Sequence, residues 1–174
     1  LRAEETSIPY AGQQTRAIKA LSPDEVRGLL SGAGLGFAKA AELNHYPGPV
    51  HVLALAGKLG LAPDQSARTE ALYRRMKREA VPLGERIIAR EKRLDTLFAS
   101  RRIDEGSLQA VTAAIARLRG ELRAVHLKYH LKMKTLLTPH QVAAYDRLRG
   151  YASPGGGMKD HNQHGGQHGQ QNPY

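Results

Sequence analysis

The sequence predicts an all-α fold, a long antiparallel helical hairpin with short flanking helices. Two long segments carry apolar residues at spacings of three, four and seven, which is the period of one helix face. Two capping boxes, each with proline at the first helical position, mark helix starts. No segment shows a comparable alternation of apolar and polar residues, so no strand is predicted.

Composition limits the classes of partner and site. The chain has 174 residues and 26 Lys and Arg against 16 Asp and Glu, and its net charge of +10 favours anionic partners. It has no cysteine, which excludes disulfides, thiolate metal sites and a cysteine nucleophile and suits an oxidising compartment. We expect an extended N-terminal arm over 1–21, a helical domain over 22–151, and a disordered Gly/His-rich tail over 152–174.

Short helices are predicted before the hairpin. Ser22 and Glu25 form a capping box that predicts a helix through Leu30, ended by a run of alternating glycines. That run follows no strand, so it lacks the context of a dinucleotide-binding loop. Further helical segments are predicted over 37–43 and 50–59.

Two long helices form the predicted hairpin. The first runs from Pro63 to about Ser100, and at Pro82 we expect a kink rather than a break because the apolar register resumes beyond it. Asp104 caps the second, which continues to about Tyr129. The apolar positions are Leu72, Met76, Leu83, Ile87, Leu94 and Leu97 on the first helix and Leu108, Val111, Ile115, Leu118, Leu122, Val125 and Tyr129 on the second. A single hairpin leaves apolar surface that a second copy or the N-terminal helices would cover.

The last helix is predicted to begin at Leu137-Thr138-Pro139-His140-Gln141, where Gln141 can reach back to the amide of Thr138. Together with Leu59-Gly60-Leu61-Ala62-Pro63-Asp64-Gln65, this segment resembles the paired LTxxQ motifs of the Spy and CpxP family of periplasmic proteins, which includes ZraP-like chaperones and CnrX-like metal sensors. The first motif departs from the family pattern, with Ala62 where threonine would cap. The resemblance covers roughly residues 45–150.

The resemblance implies a cradle-like homodimer in the periplasm. Its implied function is that of an ATP-independent chaperone for unfolded client proteins, responsive to metal in envelope stress. The alternative is a heavy-metal sensor or resistance protein for Zn, Cu, Ni or Co that acts on a membrane-bound signalling partner. No cofactor is required, although one of these ions is possible. An enzyme is not expected, because neither a Ser-His-Asp order nor an H-E-x-x-H motif is present.

Histidines supply the candidate metal ligands. His126 and His130 lie four residues apart, which places both imidazoles on one helix face, and Met133 follows three positions later. Further donors would come from the segment that folds back over the hairpin, which contains Glu42, His45 and His51. The resemblance to CnrX-like sensors implies a ligand set drawn from His45, His51, His126, His130 and Met133. Alternatively, His126 and His130 are half-exposed polar borders of the apolar seam.

The tail carries His161, His164 and His168 at three- and four-residue intervals. This composition can capture zinc, copper or nickel, and it resembles the His-rich extensions of ZraP-like chains. The alternatives are a solubilising tail and the remnant of a purification tag.

Basic side chains on the first long helix are the candidate client-binding residues. They are Arg74, Arg75, Arg78, Arg86, Arg90 and Arg93. Positive charge beside apolar surface would attract and hold acidic unfolded chains. Nucleic acid is not the expected partner, because acidic residues are interleaved and aromatic residues are only 5% of the chain.

Overall fold

The structure, a computed structural model, describes residues 9–152 and contains six α-helices in this range. They are α1 (Pro23–Ser31), α2 (Lys39–Glu42), α3 (Pro49–Ala54), α4 (Pro63–Ala99), α5 (Glu105–Leu136) and α6 (Pro139–Arg149). Residues 9–152 contain no strand, which confirms the predicted all-α class. None of their helices combines the length and the apolar content that crossing a bilayer requires.

Side-chain caps set most of the long and medium helix starts. Capping boxes begin α1, α5 and α6, formed by the pairs Ser22–Glu25, Asp104–Ser107 and Thr138–Gln141. The start of α4 has half of this device. The Gln65 side chain accepts a hydrogen bond from the Ala62 amide at 3.0 Å. The second hydrogen bond of a capping box is missing, because Ala62 has no side-chain oxygen that could accept from the Gln65 amide.

Helices α4 and α5 pack as an antiparallel pair. Glu79 accepts a hydrogen bond from the Tyr129 hydroxyl at 2.7 Å, and Glu91 lies 3.6 Å from Arg119. Later positions on α4 therefore face earlier positions on α5, as a hairpin requires. Helix α4 continues through Pro82 without a break, which confirms that part of the prediction, and the expected kink stays a prediction.

Buried aliphatic side chains follow the inner faces of the hairpin, as the apolar periodicity predicts. One cluster joins the hairpin to α1, with Leu29, Ala80, Ile87, Leu118 and Leu122 among its buried members. Helix α1 approaches so closely that a Cβ at Gly84 would overlap the backbone carbonyl of Leu29. A second cluster joins α3, α5 and α6, and a third lies at the hairpin tip.

The segment before α1 differs from the expected extended arm. Residues Gln13–Thr15 form a 3-10 helix, and Ile18 and Leu21 are buried in the cluster beneath α1. These two apolar side chains cover hairpin surface, so residues 18–21 are packed against the domain. Helix α3 ends at Ala54, before the predicted end at Leu59, and the chain continues in turns to Gly60.

Candidate metal centre

A cavity of about 530 Å³ lies between the hairpin and the segment that contains α2 and α3. One glutamate and three histidines line it, namely Glu42, His51, His126 and His130, together with the side chain of Met76. We call this space the histidine cavity. Its wall also includes the basic side chains of Lys39, Lys77 and Arg149.

His126 projects from α5 into the most buried part of this site. Its side chain is 2% exposed, and its ring stacks on Phe37 with 6.3 Å between ring centroids and an angle of 6°. Burial lowers the pKa of His126, and the nearby His130 lowers it further. The neutral imidazole is therefore favoured, and its Nε2 is buried without a hydrogen-bond partner among residues 9–152.

His130 lies one turn after His126 and is held in one orientation. Its Nδ1 donates a hydrogen bond to the backbone carbonyl of Tyr46 at 2.7 Å. A carbonyl partner at one ring nitrogen is the usual support of a metal-binding histidine, because it leaves the other nitrogen as the donor to the ion. Gly48 makes room for the ring, since a Cβ there would lie 2.8 Å from His130 Nε2.

Glu42, at the end of α2, is positioned by the C-terminal part of the domain. Its Oε1 accepts hydrogen bonds from Tyr145 at 2.5 Å and from Tyr151 at 3.2 Å, and it lies 3.5 Å from Arg149 Nε. Burial raises the pKa of Tyr145, and its bond to Glu42 raises it further. The other carboxylate oxygen, Oε2, is buried with no hydrogen-bond partner in the described part of the chain.

These contacts of Glu42 had no signal in the sequence. Its partners Tyr145 and Tyr151 are 103 and 109 residues away along the chain. Only the packing of α6 against the α2 segment brings them together, and neither tyrosine belongs to a recognisable ligand pattern.

His51 extends from α3 and is half-buried in the cavity wall. Burial is the main cause of its lowered pKa, with Arg149 adding to the effect. Glu42 raises the pKa of His51 and His130 lowers it. The charges of Glu42, His51 and His130 therefore influence one another.

The remaining predicted ligands lie elsewhere. His45 is exposed, and its Nδ1 lies 2.7 Å from Asp146 Oδ2. Met133 is fully buried in the apolar cluster that contains Tyr145 and Val52. The tail histidines His161, His164 and His168 fall outside the described residues.

The structure therefore brings together part of the predicted ligand set. His51, His126 and His130 line one cavity with Glu42, whereas His45 and Met133 do not. The alternative reading of His126 and His130 as half-exposed borders is wrong, because they are 2% and 8% exposed. Between residues 9 and 152, no three His, Asp or Glu side chains are close enough together to hold a metal ion.

The six candidate client-binding arginines are all exposed on α4. Arg74 lies 3.6 Å from Glu70 one turn earlier, an exposed ion pair of the kind that contributes little to stability. None of the six lines the histidine cavity.

No protein-family model matches this chain, and no match was found among curated proteins or solved structures.

Proposed function

We propose that this chain is a metal-responsive periplasmic protein of the LTxxQ type whose folded core binds a transition-metal ion, Zn, Cu, Ni or Co, in the histidine cavity. The observation that carries the proposal is a pair of buried polar atoms without partners, His126 Nε2 and Glu42 Oε2, on side chains that line the same cavity. Leaving such an atom unsatisfied costs about 1–3 kcal/mol. A bound cation would satisfy both.

The donor set suits these ions. Imidazole nitrogen and carboxylate oxygen are common ligands of zinc, nickel and copper. Burial favours the neutral form of His126, and the Tyr46 carbonyl leaves Nε2 of His130 as the donor nitrogen, so both rings can donate to an ion once the side chains move closer together. When bound, the ion would supply a positive charge that draws Glu42, His126 and His130 together.

The charge of the cavity wall makes direct coordination essential. Lys39, Lys77 and Arg149 surround the ligand-type groups, while Glu42 is the acidic side chain among them. Long-range attraction therefore does not favour a cation here, and affinity would come from the lone pairs of the donors. Binding should consequently depend weakly on salt and strongly on the identity of the donors.

Calorimetric titration of zinc, copper, nickel and cobalt tests this proposal. We expect about one tightly bound ion per chain, and we expect the double variant His126→Ala/His130→Ala to lose it. The matched control is His45→Ala/His140→Ala, which removes two imidazoles that lie outside the cavity. Unchanged affinity in the first variant, with helical content preserved by circular dichroism, would exclude the cavity as the metal site.

A second candidate function is favoured by the exposed surface of α4. Six arginines lie on this helix, and Phe98 near its end is 56% exposed. In a cradle-like homodimer such a surface would attract acidic unfolded clients and hold them by apolar contact, without ATP. Metal binding by the core would then regulate the client-holding activity of a chaperone, rather than signal to a membrane-bound partner.

Aggregation assays separate these two functions. A chaperone suppresses aggregation of a denatured client at stoichiometric amounts, and the suppression weakens as salt screens the arginines. A sensor binds its ion and leaves the client to aggregate. Sedimentation analysis of the same samples tests the homodimer.

A further inference from the structure

The histidine cavity has room for more than a single ion. Its volume is about 530 Å³, whereas one water molecule in the liquid takes up about 30 Å³. Organic ligands in proteins usually occupy pockets of about 300–1,000 Å³, in which a few polar groups on a largely apolar wall fix the orientation of the ligand. The space in this cavity is therefore sufficient for a small organic molecule.

Part of the cavity wall is apolar, and this part extends to the surface. Met76 lines the cavity and is 4% exposed, while Leu35 and Val50, which also line it, are 44% and 43% exposed. Leu35 keeps this place although its backbone has a φ of 44°, a conformation that is unfavourable for leucine. An apolar group that entered the cavity would cover these side chains and remove apolar surface from water.

The charged part of the wall favours an anion. Arg149 Nε lies 3.5 Å from Glu42 Oε1, so these two charges largely offset each other. Lys39 and Lys77 also line the cavity, and neither forms an ion pair with a carboxylate between residues 9 and 152. Lys77 is half-buried, with its Nζ 5.7 Å from the centre of the Tyr73 ring. The two lysines therefore give the cavity a surplus of positive charge, and an organic anion is the complementary ligand.

We propose that the histidine cavity binds a small organic carboxylate with an apolar body. The carboxylate group lies against Lys39 and Lys77. The apolar body covers Leu35, Val50 and Met76. This ligand goes beyond the proposed function, because it uses side chains of the cavity that a metal ion does not need. Its binding does not rest on the metal and is expected in protein from which metal has been removed.

Calorimetric titration of the full chain with octanoate in the presence of EDTA tests the choice of ligand. Octanamide and octylammonium are the neutral and cationic probes of the same length. We expect one octanoate per chain, and both other probes should bind more weakly by about tenfold or more, because they form no ion pair with the lysines. Butanoate should also bind more weakly by about tenfold or more, because it buries fewer methylene groups.

Paired lysine variants test the position of the carboxylate group. The test variant Lys39→Gln/Lys77→Gln should bind octanoate more weakly by about tenfold or more. The matched control Lys58→Gln/Lys92→Gln makes the same change in net charge at exposed positions outside the cavity, and it should bind as the wild type does.

Methionine signals test the position of the apolar body. Met76 lines the cavity, whereas Met133 is buried in the separate apolar cluster that contains Val52 and Tyr145. In protein with ¹³C-labelled methionine methyl groups, octanoate should shift the NMR signal of Met76, which the variant Met76→Leu assigns. The signal of Met133 should stay in place.

The possible outcomes separate this inference from the proposed function. The inference fails if octanoate does not bind, if the three eight-carbon probes bind equally well, or if both lysine variants lose the same affinity. It also fails if octanoate binds without shifting the Met76 signal. None of these results affects the metal site, which the zinc titration of His126→Ala/His130→Ala tests. If octanoate binds as expected and the wild type takes up no metal ion, the proposed function fails and this inference stands.

Discussion

Gln65 and Gln141 are hydrogen-bonded to each other through their side-chain amides, with Nε2 to Oε1 distances of 2.9 Å in both directions. Each glutamine also serves its own helix start. Gln65 accepts from the Ala62 amide and Gln141 from the Thr138 amide, both at 3.0 Å. The glutamines of the two motifs therefore join the beginning of α4 to the beginning of α6.

We expect Gln141→Ala to lower the free energy of unfolding by about 2 kcal/mol, because it removes a cap and leaves the Gln65 amide without its partner. Urea denaturation measures the change. The control Gln109→Ala, exposed on α5, should change stability by less than about 0.5 kcal/mol. In the double variant Gln65→Ala/Gln141→Ala the loss should be smaller than the sum of the single losses. Strict additivity would show that the two amides are not coupled.

Local pattern was sufficient to predict much of the fold. Each capping box pairs its first residue, Ser22, Asp104 or Thr138, with a partner three residues later. A short stretch of sequence therefore contains both residues of the motif. Periodic apolar residues likewise predicted which faces of α4 and α5 would meet. The end of α3 was mispredicted because its apolar pattern continues past Ala54, whereas the chain turns there.

The contacts that build the candidate site could not be predicted in this way. The motif pattern identifies Gln65 and Gln141 separately, but their pairing across 76 residues depends on how α4, α5 and α6 pack. The same holds for Glu42 and Tyr145. Met133 is the reverse case, a ligand that the sequence predicted and the structure places elsewhere. Its spacing from His130 suits a ligand, but it is buried in an apolar cluster.

Gly84 determines how closely α1 approaches the hairpin. We expect Gly84→Ala to lower the free energy of unfolding by about 1–3 kcal/mol, because the new methyl group would overlap the Leu29 backbone and force the helices apart. The control is Gly120→Ala on α5, where a Cβ meets nothing within 4 Å. That change should stabilise by about 0.5–1 kcal/mol through helix propensity. Thermal unfolding of both variants measures the contrast, and equal effects would contradict the close approach.

Stability should depend on pH through His126. Its pKa in the folded protein is lowered from the ordinary 6.5, chiefly by burial, so below about pH 6.5 the unfolded chain binds a proton that the folded chain excludes. The contribution is fully present above pH 6.5 and is lost as pH falls below it. His51 shifts in the same direction. We expect the urea midpoint of the wild type to be lower at pH 5 than at pH 7.5. In His126→Leu the difference between the two midpoints should be smaller.

The matched control for this pH dependence is His140→Leu, which replaces an exposed histidine at the start of α6. Its midpoints should differ between pH 5 and pH 7.5 as much as those of the wild type. If His126→Leu also keeps the full difference, burial of this imidazole is not the cause.

The arginines of α4 should control client capture if the chain is a chaperone. We expect Arg86→Glu/Arg90→Glu/Arg93→Glu to reduce suppression of client aggregation several-fold, because three reversals remove the attraction for acidic segments. Light scattering of a denatured acidic client measures this. The control Arg27→Glu/Arg117→Glu/Arg147→Glu makes the same change in net charge on α1, α5 and α6. Equal losses in both variants would show that net charge, rather than the α4 surface, governs capture.

Gly48 offers a test of the metal centre that removes no donor atom. Its backbone has φ −93° and ψ 145°, which alanine adopts readily, but the added Cβ would lie 2.7 Å from His130 Cε1. The ring must therefore turn, and we expect Gly48→Ala to weaken zinc binding by about tenfold or more, as displaced ligands do. The control Gly57→Ala adds a methyl group where nothing lies within 4 Å. Calorimetric titration compares the two, and wild-type affinity in Gly48→Ala would exclude His130 as a ligand.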